Sequence, residues 1–365
     1  MNDTPRESAG GPAERVLPDD PGGELEATAE EFCGQFNQNR RDNERAFEIA
    51  YRRLFKTVYH RAGNAGRQRL FNTIAKSLKS SQSVEEFVGR LLSRMSVEDV
   101  TRFRAQVHRV ETLQYEPADV RLDVGSVIEA RETVNFPERW PDVVTWIEGL
   151  PQGAVLYDLA AGNGIRSLLA AAQPNKRLTI VAFEPGYENF AALCENVRLN
   201  EVSDRVIPIH GTVGAISGLD TCHYRTLERG ADQNCLAQPV DRRGNPFLPV
   251  ASMTSVCWSI DDAVTRLALP TPTHLCLAVD GAEIDVLAGA RNTLAGPGLT
   301  NLLLIGDAAA ATRVRGWFRD SPWTEMPAPP PVDSSAVQAL LFVRDPSSST
   351  VARPGAGIAP SEVQP

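Results

Sequence analysis

Four acidic residues close apolar runs in the second half of the chain: Asp158 in AVLYDL, Glu184 in LTIVAFE, Asp280 in LCLAVD and Asp307 in LLLIGD. Such runs have the length of buried strands, and in open α/β sheets ligands bind outside the carboxyl ends of the strands. An acid placed there can meet ribose hydroxyls, a cationic ligand or a proton in transit. Asp158 is followed by the turn AAGNG, residues 160–164, and then by an Ala/Leu-rich run from Ile165. Gly162 and Gly164 let the backbone approach a ligand in dihedrals that other residues resist. Glu184 comes 26 residues after Asp158, where a carboxylate accepts two hydrogen bonds from a ribose diol. The full GxGxxG phosphate cradle of a dinucleotide site is absent. The turn therefore fits a nucleoside ligand without a pyrophosphate, and S-adenosylmethionine, an adenosine with a charged methionine tail, is such a ligand.

These residues need elements to position them. After residue 150, strand-like runs alternate with helical segments: AVLYDL, LTIVAFE, RVIPIHG, LCLAVD, LLLIGD and ALLFVRD. That alternation predicts an α/β domain with a mostly parallel, doubly wound sheet over residues 150–344. Before it, residues 25–149 read as a helical region. Ser83 with Glu86, and Ser96 with Asp99, are capping boxes ahead of apolar residues at helical spacing. Residues 1–24 and 345–365 are rich in Pro, Gly and Ser and are expected to be disordered tails.

Composition narrows the setting. The chain has 365 residues, 42% hydrophobic and 23% charged, which is ordinary for a soluble globular protein. It shows no apolar run of membrane-spanning length, so no membrane partner is expected, and no signal peptide, so the expected location is cytoplasmic. Six cysteines without a CxxC pair, and five histidines without HxxxH or HExxH spacing, give no expectation of a metal site. Residues 40–79 carry eleven Lys/Arg against three Asp/Glu, a local +8 in a chain of −9, so the remainder carries −17. That asymmetry suits either nucleic-acid docking or a solvated helix face beside an acidic domain. Phe47, Tyr51, Phe55 and Tyr59 fall four apart, the spacing of one buried helix face, so a nucleic-acid partner is not expected.

Four blocks, YDLAAGNGIRSLLAA, VAFEPGYENFAALCENVRLNEVSDRVIPIHGTVG, WSIDDAV and LAVDGAEIDVLAGARNTL, together resemble the FkbM-type S-adenosylmethionine-dependent methyltransferases over about residues 150–310. The resemblance implies a class I methyltransferase, Rossmann-like fold. It implies S-adenosylmethionine at Asp158, Ala160, Gly162, Asn163 and Gly164, with Glu184 and Pro185 of the FEP block on the ribose side. It also implies a hydroxyl acceptor on a small metabolite of sugar or polyketide type. The chain departs from the family's patterns. Ala160 and Gly162 replace Gly and Asn of DxGANxGxxS, and Cys276 and Ala278 replace Lys and Asp of KIDVEGAE.

Methyl transfer from a sulfonium is an in-line displacement, in which the protein mainly positions donor and acceptor. A hydroxyl acceptor also needs a base. The candidates are Asp280 and Glu283 at the ligand edge, then His210 after the third strand and His223 at the start of the long 223–254 connection. Against these roles, Asp280 could cap a helix, and each His could be a surface or structural residue. Three readings stay open: an active small-molecule O-methyltransferase, a degenerate domain serving as a binding or scaffold protein, and a macromolecule methyltransferase docking through the basic helices. Oligomeric state is not legible.

Overall fold

The computed structural model describes residues 95–347, apart from 107–109, 117, 232–234, 237, 242–244 and 328–336, together with positions 89 and 93. The basic stretch 40–79, the Ser83 capping box, the tail 1–24 and residues 348–365 lie outside the described residues. The chain divides into two compact units, Met1–His108 and Arg109–Pro365. In the first, helix α1 (Val97–Gln106) begins at the expected capping box: the Asp99 N–H donates to Ser96 Oγ at 3.1 Å.

The second unit begins earlier than the strand-rich part of the sequence suggests. Within the stretch expected to be helical lie two strands, β1 (Val110–Leu113) and β2 (Val120–Asp123), paired as an antiparallel hairpin. Four-residue strands are too short for their alternation to stand out from helical spacing. Helices α2 (Val127–Val134), α3 (Phe136–Arg139) and α4 (Pro141–Glu148) follow. Ser126 caps α2 by accepting from the Glu129 N–H, and Pro141 opens α4 where a missing N–H costs nothing.

The central alternation then runs as the sequence predicts. It comprises β3 (Val155–Leu159), α5 (Ile165–Ala171), β4 (Thr179–Glu184), α6 (Tyr187–Leu199) and β5 (Val206–His210). An inserted group comes next: β6 (Thr212–Val213), β7 (Gly218–Tyr224), β8 (Cys235–Leu236) and β9 (Ala251–Trp258). The chain continues through α7 (Ile260–Arg266), β10 (His274–Leu277), α8 (Glu283–Ala288), α9 (Arg291–Ala295), β11 (Asn301–Asp307), α10 (Ala308–Phe318), β12 (Trp323–Glu325) and β13 (Val337–Arg344).

The main sheet has seven strands in the order β12-β13-β11-β10-β3-β4-β5. From β11 to β5 all pairs are parallel, and β13 alone runs against its neighbours. This is a doubly wound α/β sheet of the expected kind, whose strand order reverses between β3 and β10. Alternate residues of each strand face opposite layers. Leu156, Ile180, Ala182, Cys276 and Leu303 pack under α4, α5 and α6. Tyr157, Leu159, Val181, Leu275 and Leu302 pack under α7 to α10. Among the described residues no helix is long and apolar enough to cross a membrane.

The 223–254 segment is not a plain loop. It contributes to a second sheet, β6-β9-β7-β8, in which β7 and β9 pair antiparallel along seven residues.

Candidate functional site at the strand reversal

The crevice of such a sheet opens outside the carboxyl ends of the strands flanking the reversal, here β3 and β10. The turn leaving β3 is left-handed at three alternate residues: Ala160 (φ 59), Gly162 (φ 63) and Gly164 (φ 87). A Cβ placed on Gly164 would come within 2.5 Å of Leu193 Cδ1, so this glycine also lets α5 start hard against α6. A Cβ on Gly162 would meet nothing within 4 Å, so the turn borders open space there. Ala160 occupies the left-handed region without glycine's freedom.

Asp158 lies on the α5 face of the sheet and is fully buried. Arg166 Nε donates to its Oδ1 at 2.9 Å and Ser167 Oγ to its Oδ2 at 2.7 Å. The guanidinium also donates to the Ala160 carbonyl at 2.6 Å, so one cation ties the strand acid to the first residue of the turn. Ala182 and Cys276 flank Asp158 in register, and their small side chains leave room for Arg166. Burial pushes the Cys276 thiol up to about 12, keeping it a neutral neighbour of that pair.

Glu184, the last residue of β4, is only 3% exposed and joins the turn directly. Its Oε2 accepts from the Gly162 N–H at 2.7 Å, and its Oε1 from the Gly186 N–H at 2.8 Å and more distantly from Asn189 Nδ2 at 3.5 Å. Burial pushes this carboxyl up to about 7, against the pull of the Gly162 and Gly186 N–H groups, Asn189 and the nearby Arg166. Asn163 is buried, and its carbonyl accepts from Asn196 Nδ2, whose Oδ1 accepts from the Asp123 N–H. The turn is therefore braced by α6 and the hairpin as well as by the sheet.

Asn189 links Glu184 to the inserted sheet's connection. Its Oδ1 accepts from the Gly230 N–H at 2.7 Å and its Nδ2 donates to the Ala231 carbonyl at 3.0 Å. Arg229 beside them pairs with Asp123 at 2.9 Å and Glu129 at 3.1 Å. Pro185 presents its carbonyl to two side chains, His210 Nε2 and Tyr224 Oη, each at 3.2 Å.

The four candidate bases are spread unequally. Asp280, three residues past β10, is half-buried with φ 48, and the following Gly281 has open space where a Cβ would stand. Glu283 is buried, accepting from Arg313 Nη2 at 2.6 Å and from the Gly281 N–H at 2.8 Å, which commits it to holding the 280–283 turn. His210 is exposed at the end of β5 and stacks on Phe190 at 4.9 Å. It lies three strand spacings from β10, roughly 14 Å at about 4.8 Å per spacing. His223 belongs to the second sheet, where its Nδ1 meets Ser252 Oγ at 2.8 Å. The fourth strand-end acid, Asp307, caps α10 by accepting from the Ala310 N–H.

Arg166, Ser167 and Asn189 were not singled out from sequence. Arg166 carries a readable signal, since it is the only charged residue in IRSLLAA, an otherwise small and apolar helix. A charge in such a helix is kept when a buried partner waits for it.

No protein-family model matches the chain, and no curated protein matches its sequence. Solved structures do show likeness. The methyltransferase FkbM from Methylobacillus flagellatus KT is 15% identical with a TM-score of 0.38, over 60% of this chain and 56% of that one. The precorrin-6y C5,15-methyltransferase from Geobacter metallireducens GS-15 is 12% identical with a TM-score of 0.34, over 55% and 85%. An rRNA methylase from Streptococcus thermophilus is 10% identical with a TM-score of 0.34, over 56% and 92%. The fold assignment rests on the strand order and register, not on these distant likenesses.

Proposed function

We propose that the chain is an S-adenosylmethionine-dependent methyltransferase acting on a hydroxyl oxygen of a small-molecule acceptor. The observation that carries this reading is the bond from the Gly162 N–H to Glu184, which draws a strand-end carboxylate and an open turn to one point beside the strand reversal. The residues fit the donor. An ionised carboxylate has about four acceptor positions, and here two are filled well and one weakly, by Asn189 at 3.5 Å. A ribose hydroxyl, donating its one hydrogen, takes the spare position. The space beside Gly162 admits the nucleoside, while Ala160, Asn163 and Gly164 set the path of the turn and Pro185 that of the chain leaving Glu184. Asp158 contributes indirectly, by anchoring Arg166 against the turn.

The donor supplies a methyl group already activated on a sulfonium. The chain's remaining task is to hold the acceptor and take its proton. Asp280 is the carboxylate best placed for that task, with Glu283 and Arg313 fixing the turn that presents it. His210 and His223 stand farther off as alternatives. The test is turnover of methyl-labelled donor against a panel of sugar and polyketide hydroxyls. Asp280→Asn is expected to lower turnover roughly 10²-fold, the low end of general-base effects, with donor affinity unchanged. Unchanged turnover in Asp280→Asn would move the base elsewhere, and methylation confined to RNA would overturn the small-molecule reading.

A second reading is favoured by one observation, Ala278 in place of the family's strand acid. It is a methyltransferase-type domain that binds the donor without turnover. It predicts normal donor binding with no acceptor, and gain of transfer in Ala278→Asp.

A further inference from the structure

At the opposite, amino end of the sheet a groove of about 560 Å³ opens between α4 and strands β10, β11 and β13. Its floor is apolar: Leu303 and Leu341 stand directly opposite each other in the β11–β13 pairing, with Ala339 beside them. Trp146 of α4 forms one wall, and Met326, 44% exposed, forms the rim. The volume falls within the range of small-molecule sites, which are mostly apolar with a few placed polar groups.

One polar side chain of this lining is almost wholly buried. His274 opens β10 and is 95% buried by its 5% exposure, yet it lines the groove. Its Nδ1 lies 2.8 Å from Thr273 Oγ1, and its ring is 6.1 Å from that of Trp146. Its Nε2 has no partner among the described residues. The hydroxyl of Thr273 is within donating distance of both the Val155 carbonyl, at 3.1 Å, and His274 Nδ1, and the tautomer of His274 follows from which of the two takes its hydrogen. Burial pushes the imidazole down to about 4, so the ring is neutral near pH 7. A neutral imidazole with hydrogen on Nδ1 offers Nε2 as an acceptor.

We propose that this groove is a second ligand site, with the His274 hydrogen on Nδ1, for a flat, neutral aromatic molecule carrying a single hydrogen-bond donor of indole or phenol type. The ring packs on Trp146 and the leucine floor, and its N–H or O–H donates to His274 Nε2. The site lies at the amino ends of the strands whose carboxyl ends form the crevice, so it binds an effector and not the methyl acceptor. An acceptor that a bound ring covers selects against ligands that cannot satisfy it.

Calorimetry on the full chain tests this with two probes, indole and 1-methylindole, which differ in the donor alone. Indole is expected to bind, with 1-methylindole weaker by roughly three- to tenfold, the worth of one neutral hydrogen bond. His274→Phe should abolish that preference, and Ala339→Phe should fill the groove and abolish binding. Met326→Trp, at a half-exposed rim position, should change indole affinity whether or not the buried variants fold. No heat from millimolar indole with the wild type, equal affinity for the two probes, or an unchanged affinity in Met326→Trp would each overturn the proposal.

Discussion

The pairing of Asp158 with Arg166 gives the most exacting stability prediction. Asp158 has no exposed side-chain surface and the Arg166 side chain is 14% exposed, so neither charge can turn to water. Arg166→Met keeps most of the side-chain volume while leaving Asp158 with the Ser167 hydroxyl as its remaining donor. Removing one partner of a buried pair costs about 3–5 kcal/mol. For a unit of this size, about 2–4 °C of melting temperature accompany each kcal/mol, so the expected loss is about 6–20 °C. The double variant Asp158→Asn with Arg166→Met removes both charges, and it should recover most of that loss because the penalty comes from the unpaired charge. Denaturant and thermal unfolding at pH 7 measure both. A single-variant loss below about 1 kcal/mol, or a double variant no more stable than the single, would refute the reasoning.

Ala160 sits at φ 59, a region that costs an L-residue about 1–2 kcal/mol. Ala160→Gly removes that cost and adds about 0.4–1 kcal/mol of unfolded-state freedom, so thermal melts should show a gain of zero to about 1.6 kcal/mol. Glu184 predicts a pH dependence. Its carboxyl is raised from 4.5 to about 7 in the folded state, so the folded chain holds a proton that the unfolded chain releases across that window. This contribution to stability is fully present below pH 4.5 and is lost as pH rises through 7. Glu184→Gln should remove that part of the slope, and parallel slopes for wild type and variant between pH 5 and 7.5 would contradict it.

Strands β3, β4, β10 and β11 were legible because they are largely buried on both faces and read as short apolar runs closed by acids. Periodicity said less where elements are short or half-exposed. Strands β1 and β2, four residues each, passed for part of a helical region, and β7 and β9 carry exposed residues that made 223–254 look like a plain loop. At the site, the sequence placed Glu184 beside the glycine turn, and the bond to the Gly162 N–H realises that juxtaposition. It did not show how the acids are occupied. Asp158 and Glu283 look alike as strand-end or turn carboxylates, yet each is engaged by a residue that the fold brings near, Arg166 and Arg313. Partners eight to thirty positions away leave no local pattern.

The turn and Glu184 are proposed as a nucleoside site for S-adenosylmethionine, and calorimetric titration of the full chain with S-adenosylmethionine, beside Glu184→Ala, puts that site to the test. Saturable binding by the wild type is expected. Glu184→Ala should lose about 1.5–3 kcal/mol, the worth of one hydrogen bond to a charged group, or roughly ten- to more than a hundredfold in affinity. A wild type that gives no heat and no thermal shift with excess donor, or a Glu184→Ala variant that binds as tightly as the wild type, would contradict it.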